Sequence, residues 1–300
     1  MLGTSEKRVH SKPWYAMAAL FLGTSLSLYT PRATAQESEQ KGILLTEHFD
    51  GSSSTDGKVF SLTTTAGYNF NKHFGVDVGV PAYIVRAPAS VQGSRSSNGI
   101  GDVFVDLRLS FDNRLFGYSA TLTGTVPSGD SSKGRSTGRV TFDLDNHFDR
   151  SVGRFTPFAD IDLGNTVNQR FYRRPYLTLG KVASFEAGTS VKLFRSISVS
   201  TSLYEVAPWG TQRVFSRIVP RGTTVLGTVQ HNRVFEKKAE TLGGASLDRD
   251  NGVNVGVSYS PTRYLDLGVG YSRSMHYSLN TVSFGLGVNL DSLIGKLNRW

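Results

Sequence analysis

The sequence predicts an all-β fold: a transmembrane, antiparallel, up-and-down β-barrel of about twelve strands, with short periplasmic turns and longer extracellular loops. Three observations predict it. Apolar and polar residues alternate with a period of two through almost the whole chain after residue 35. Connections alternate between tight turns and long polar stretches. Aromatic residues gather beside the tight turns.

The alternation is plainest in three segments. From Val59 to Phe70, Phe60, Leu62, Ala66, Tyr68 and Phe70 share one face and Ser61, Thr63, Thr65, Gly67 and Asn69 the other. From Val103 to Phe111, Val103, Val105, Leu107, Leu109 and Phe111 oppose Asp106, Arg108 and Ser110, with Phe104 the exception. Near the end, Val282, Phe284, Leu286, Val288 and Leu290 oppose Ser283, Gly285, Gly287 and Asn289. Strands are expected at 42–49, 58–70, 74–86, 101–111, 116–126, 138–148, 155–166, 179–194, 197–209, 251–260, 265–275 and 281–290.

Tight turns are expected at 71–73, 112–115, 149–154, 195–196 and 261–264, and longer loops at 50–57, 87–100, 127–137, 167–176 and 211–250, with a brief one at 276–280. Phe70/Phe74, Phe111/Phe116, Phe148/Phe155, Phe194 and Tyr259/Tyr264 flank the tight turns. They would stand at one height, the periplasmic interface, where a ring meets lipid on one side and water on the other. Tyr83, Trp209 and Tyr271 are candidates for the opposite girdle. A secreted β-sandwich also alternates, but its loops do not sort by length. A closed barrel further removes the strand edges that lipid forbids.

The N-terminus reads as an export signal. Lys7, Arg8, His10 and Lys12 precede a mostly apolar run from Trp14 to Tyr29, and Ala33-Thr34-Ala35 supplies a small-x-small cleavage site. Residues 1–35 are therefore expected to be removed, leaving 36–300 as one barrel domain with a tail at 291–300. Without the signal the chain keeps 29 Lys and Arg against 23 Asp and Glu, a net charge of +6. No later run is long and apolar enough for a helical span. A hydrophobic content of 38% excludes a disordered chain. The absence of cysteine excludes disulfides, thiolate metal sites and a thiol nucleophile. The basic residues are scattered over loops, a poor pattern for nucleic acid.

If the apolar face meets lipid, the other face lines the lumen. Small polar residues dominate it: Ser119, Thr121, Thr123 and Thr125; Ser198, Ser200 and Ser202; Ser258, Gly268 and Gly270. Parity also turns Asp77, Asp102, Asp106, Asp143, Asp145, Asp160, Asp162, Glu186 and Asp266 inward, with Arg108, His147 and Lys192 among the few cations. Pairing Phe148 with Phe155 would set Asp143 opposite Asp160. Like charges directly opposite on a sheet repel, so Arg108, Lys192, water, proton uptake or a hard cation must compensate. The segment 211–250 is rich in Arg and Lys; it is expected to contact anionic lipopolysaccharide or narrow the pore, and Thr223–Val229 to extend a hairpin above the membrane.

Catalytic groups are sparse. Ser94–Gly99 resembles the His-x-Ser-Asn-Gly segment of outer-membrane phospholipase A, but Ser94 or Arg95 stands where the general base would be. His73 belongs to a turn and His276 to a loop. No enzyme and no cofactor is expected.

Gly79-Val80-Pro81, Asn98-Gly99-Ile100-Gly101-Asp102-Val103, Thr125-Val126-Pro127-Ser128-Gly129-Asp130 and Ser136-Thr137-Gly138 carry a family resemblance. Together they resemble the outer-membrane barrels of the phenol meta-pathway family, whose Gly-x-Gly-Asp strand start precedes a Pro-Thr-Gly-Asp-like loop. Ser128 replaces the usual Thr. The motifs cover 60–165, and the resemblance implies a transport-related barrel for hydrophobic or aromatic compounds. In such barrels an aromatic at the end of the last strand is recognised by the assembly machinery. Here the strand ends near residue 290, and Trp300 closes a short amphipathic tail at 291–300.

The expected function is an outer-membrane channel for passive diffusion of small solutes. The expected partners are outer-membrane lipid, lipopolysaccharide and the assembly machinery. A structural or adhesive barrel acting through its loops, or an outer-membrane lipid hydrolase, are the alternatives.

Overall fold

The computed structural model describes residues 41–55, 57–87, 94–95, 97–113, 116–167, 176–217, 219–220, 240–262 and 264–289. The expected signal segment, the tail at 291–300 and the stretch Thr223–Val229 lie outside the described residues. In chain order the strands are β1 (Gly42–Ser54), β2 (Gly57–Asn69), β3 (Phe74–Arg86), β4 (Ser94–Arg95), β5 (Ser97–Ile100), β6 (Val103–Asp112), β7 (Gly117–Val126), β8 (Thr141–Asp149) and β9 (Phe155–Gly164). There follow β10 (Tyr176–Leu179), β11 (Val182–Phe194), β12 (Ile197–Pro208), β13 (Gln212–Ser216), β14 (Val219–Pro220), β15 (Glu240–Gly243), β16 (Asp250–Thr262), β17 (Leu265–Ser274) and β18 (Leu279–Asn289).

Sequential antiparallel pairing runs from β1 to β18, and β18 returns to pair with β1 from Asn289↔Thr46 to Thr281↔Ser54. The sheet therefore closes on itself. β5 and β6 act as one strand: Ser97–Ile100 pair with the upper half of β3 and Phe104–Leu109 with its lower half. Counted so, the barrel has twelve strands. Closure matters because hydrocarbon offers no partner to an exposed N–H or C=O. Two small ribbons stand outside the barrel wall at the extracellular end: β10-β13-β15, and the pair β4-β14.

The two faces sort by chemistry. Along β2, Val59, Ser61, Thr63 and Asn69 are buried while Leu62, Thr64, Ala66 and Tyr68 are exposed. Along β18, Leu279, Thr281, Ser283 and Asn289 are buried while Val282 and Phe284 are exposed. Exposed apolar side chains ring the barrel, as the outside of a membrane barrel requires. At the turn end the rings touch one another: Tyr68 and Phe70 at 5.1 Å between centroids, Phe70 and Phe74 at 5.3 Å, then His73 and Phe111 at 4.9 Å, Phe111 and Tyr118 at 6.4 Å, and Tyr118 and Phe148 at 5.0 Å. This is the periplasmic girdle, with Tyr68 and Tyr118 as members that the turn-flanking pattern missed.

Three expectations need correction. The loop at 50–57 is no loop, because β1 runs on to Ser54 and pairs with β2 as far as Gly57. Polar residues here continue the ladder, since Ser52 and Ser54 lie on the wet face. Tyr83 does not join the outer girdle. It is buried on the inner face of β3, in step with Asp77 and Val85. The expected strand 179–194 breaks at Gly180-Lys181, and Tyr176–Leu179 leave the barrel to pair with β13. Gly180 permits the break: a methyl group there would meet the Gln212 amide at 2.0 Å.

A charge placed on the outer face should be costly. Val269, in the middle of β17, is 55% exposed to what would be lipid. Val269→Arg should lower folding stability in phospholipid vesicles by about 2–4 kcal/mol, measured by denaturant titration. An unchanged midpoint would contradict the lipid-facing assignment.

Candidate functional site

Parity on neighbouring strands gathers the carboxylates. Asp143 and Asp145 on β8, Asp160 and Asp162 on β9, and Glu186 on β11 all point inward and are buried. The register between β8 and β9 differs from expectation. Asp145 faces Asp162, His147 faces Asp160, and Asp143 faces Gly164. The cause is the turn. Val152 and Phe155 bridge around Gly153-Arg154, with Gly153 in the left-handed region at φ 63°. Centring the hairpin there, rather than midway between Phe148 and Phe155, slides the pairing by an even number of residues. Every side chain keeps its face and changes its partner.

The resulting wall is dense in negative charge. Glu186 also pairs across β11 with Asp160, so acids face one another on both sides of β9. Hydrogen-bond donors temper it. The His147 ring nitrogen Nδ1 lies 2.8 Å from Asp160 Oδ1. Ser184 Oγ donates to Asp162 at 2.7 Å, and Asn254 Nδ2 donates to Glu186 at 3.4 Å. His147 also approaches Asp149 at 3.7 Å.

Arg108 serves a different acid. Its guanidinium clasps Asp77 through Nε and Nη2, the latter also donating to Asn69 at 2.8 Å. Thr123 donates to Asp106 at 2.6 Å. Arg108 is thus not the counter-ion of the β8–β9 acids. Neither is Lys192, which is exposed at the periplasmic end of β11 opposite Ser198. Asp266 is half-buried near the same end. The opposite wall presents mainly hydroxyls and amides: Ser200, Ser202, Asn254, Ser258, Ser272 and Thr281.

Asp102 belongs to the rim. It lies half-buried between β5 and β6, and its carboxylate accepts the Gly129 N–H at 3.0 Å. Ser128 Oγ accepts from Val103 N at 2.9 Å and donates to Gly101 O at 3.3 Å, while Gly101 N donates to Pro81 O at 2.7 Å. Three of the four motifs behind the family resemblance thus meet as one latch that ties the β7–β8 loop to the barrel mouth. Inside that loop Asp130 caps a short 3-10 turn (Ser131–Lys133). Arg135 spans from Asn98 O at 2.5 Å to Asp130 at 3.3 Å. Gly134 sits where a methyl group would meet Ser216 O at 2.1 Å. Ser97 Oγ, within the Ser94–Gly99 segment, donates to Lys133 O at 3.2 Å and so holds this loop.

Parity extended above the acids shows what the strand patterns understated. At the extracellular end the inner face turns apolar. Val59, Tyr83 and Val85 form one buried cluster, and Val167, Val182, Tyr204 and Val206 another. Arg217, 1% exposed, places its guanidinium 4.1 Å above the Tyr83 ring. Tyr204 donates to Asp250 at 3.1 Å and Ser274 donates to the same carboxylate at 2.5 Å. The even parity that Tyr204 and Val206 share with Ser198–Ser202 was visible in the sequence. The position of Arg217 was not, because it depends on how a loop returns.

No family model and no curated protein matches the chain. Solved structures do. An outer membrane channel from Pseudomonas putida F1 superposes with a TM-score of 0.53 at 13% identity, covering 85% of this chain and 98% of that one. The KdgM porin superposes at 0.45 with 11% identity, covering 81% and 98%. At such identity the likeness is one of fold, and the fold is that of an outer-membrane barrel.

Two outcomes follow from these contacts. Arg108→Met, Asp77→Asn and the double variant should show a coupling of about 1–3 kcal/mol in denaturant titrations, whereas additive losses would dissolve the pair. The Asp130 carboxyl is held down from 3.8 to about 2, first by the Ser132 hydroxyl and then by Lys133. A depressed folded-state value means that the cap is complete above 3.8 and is lost as pH falls through about 2. A carbon-13 titration of the Asp130 carboxyl checks this, and Ser132→Ala should return its midpoint towards 3.8.

Proposed function

We propose that the protein is an outer-membrane channel for passive diffusion of small solutes, favouring neutral and cationic species and admitting hydrophobic or aromatic ones. The observation that carries this reading is the order of surfaces along the inner face. An apolar collar (Val59, Tyr83, Val85, Val182, Val206) lies outermost, and a carboxylate wall (Asp143, Asp145, Asp160, Asp162, Glu186) lies below it. The collar side chains pack against one another, and Arg217 stacks on Tyr83, so the mouth narrows to an apolar constriction ahead of the acids. The wall then acts on charge. At an effective dielectric of about 20, one carboxylate about 5 Å away is worth roughly 3 kcal/mol, attractive to a cation and repulsive to an anion. Hydroxyls opposite the acids supply exchangeable hydrogen bonds, so a polar solute need not cross dry. Nothing in this mechanism calls for a cofactor.

The resemblance of the rim motifs to the phenol meta-pathway barrels supports the aromatic part of the reading. Insertion by the assembly machinery and contact with lipopolysaccharide belong to the same proposal, as does export through residues 1–35.

The test is single-channel recording across planar bilayers in a KCl gradient. Conducting steps should show cation preference, and Asp145→Asn/Asp162→Asn should reduce the K⁺/Cl⁻ permeability ratio by about threefold or more. A neutral phenol should interrupt the current briefly, and less often in Val59→Thr/Val85→Thr. Anion preference would overturn the role of the acids. Silence from folded, inserted protein would overturn the pore and favour a barrel that acts through its loops.

A further inference from the structure

The outer surface carries a built cleft that the channel reading does not use. It lies at the extracellular rim, where the ends of β8, β9, β11 and β12 meet, and encloses about 430 Å³. Arg139, Val140, Asn165, Lys181 and Trp209 line it. Four of these extend the outward rows of their strands. Val140 precedes Phe142 and Leu144, Asn165 follows Ile161 and Leu163, Lys181 precedes Ala183 and Phe185, and Trp209 follows Leu203 and Glu205. The cleft therefore opens towards the surroundings of the barrel and away from its lumen. Directly below it stand Phe142 at 52% exposure, Leu163 at 45%, Phe185 at 48% and Leu203 at 64%, the upper edge of the apolar belt.

The walls are fixed by two side-chain amides, one of them buried. Gln212 is fully buried, and its Nε2 donates to Lys181 O at 3.0 Å and Trp209 O at 2.9 Å. Trp209 N donates to Lys181 O at 3.0 Å. Asn165 bonds Phe142 N at 2.8 Å and Val140 O at 3.3 Å, and Gly180 N donates to Asn165 O at 2.9 Å. Four chain segments are thus pinned without help from the Arg139, Lys181 and Trp209 side chains.

Those groups are two cations and an indole. Nearby, Arg213 pairs with Glu240 and Arg249 with Glu205. Arg139 and Lys181 are exposed and form no ion pair among the described residues. Trp209 is 47% exposed beside them, the placement an indole takes where acyl chains give way to headgroups. Two free cations and an amphipathic ring above an apolar belt suit an anion that arrives attached to acyl chains. An anion free in solution would gain nothing from the belt.

We propose that this cleft seats the phosphorylated headgroup of an outer-leaflet glycolipid, with Arg139 and Lys181 on the phosphate and Trp209 at the headgroup–acyl boundary. Arginine and lysine both bind phosphate through charge-assisted hydrogen bonds. The proposal rests on the loop end facing the outer leaflet. It does not depend on an open lumen, so binding and conductance can fail separately.

The test is native mass spectrometry of the full-length mature barrel in detergent, with bis-phosphorylated lipid A as the probe and the same lipid stripped of phosphate as the comparison. Wild type should retain one phosphorylated lipid A per barrel, with at least about tenfold weaker retention of the stripped lipid. Arg139→Gln/Lys181→Gln should weaken retention of phosphorylated lipid A by about tenfold or more. Both side chains are exposed, so this variant should still fold, which heat-modifiable electrophoretic migration and unchanged single-channel conductance would verify. Equal retention by variant and wild type, equal retention of the stripped lipid, or no retained lipid by wild type would each overturn the site.

Discussion

A strand inside a bilayer has no water to satisfy its edge, and the ladder that removes the last edge joins β18 to β1 from Asn289↔Thr46 to Thr281↔Ser54. The rest of the molecule depends on that closure. Once the sheet is a cylinder, each strand has one face towards lipid and one towards the axis, and a period of two becomes a division between solvents. The same constraint explains where irregular backbone is found. The departure of β10 and the two small ribbons occur at the extracellular end, where water or other protein can meet the freed groups.

Closure also concentrates charge. Acids that the ladder register sets side by side on adjacent strands face one shared interior, where an open sheet would leave the same pairs to bulk water. Asp145 opposite Asp162, and Asp160 between His147 and Glu186, show the consequence. Those pairs stay hydrogen-bonded to Ser184, His147 and Asn254, as buried polar groups require. Asp77 and Arg108 show the alternative, a charge matched by its counter-ion. Above them the inner face carries valines and Tyr83 in place of acids.

Much of the fold was legible because parity is a local property. The inward direction of Asp106, Asp143, Asp145, Asp160, Asp162 and Glu186 needed only the identity of their neighbours along the chain. Register was harder. Phe148 and Phe155 looked like a matched pair across a turn, yet Gly153 moved the hairpin centre, and the partner of every acid on β8 changed while its face did not. Polarity misled at 50–57, where Ser52 and Ser54 belong to the wet face of a longer strand. Contacts made by returning loops had no local signal. Arg217 over Tyr83, Ser128 on Val103 and Gln212 beneath the outer cleft join residues far apart in sequence. The rim motifs pointed to Gly101, Asp102 and Gly129 without telling that they bind one another.

In a channel of this fold, adjacent residues on one strand stand in different solvents, water inside and lipid outside. The chain has no cysteine, so a single introduced thiol reports its own surroundings. Ser202→Cys on the inner face of β12 and Leu203→Cys beside it on the outer face make the comparison. In liposome-reconstituted protein a membrane-impermeant methanethiosulfonate should modify position 202 and leave 203 unreacted, while a lipid-soluble maleimide should label 203. A position 202 that resists the impermeant reagent in folded protein would mean a dry, filled interior, and would contradict the channel.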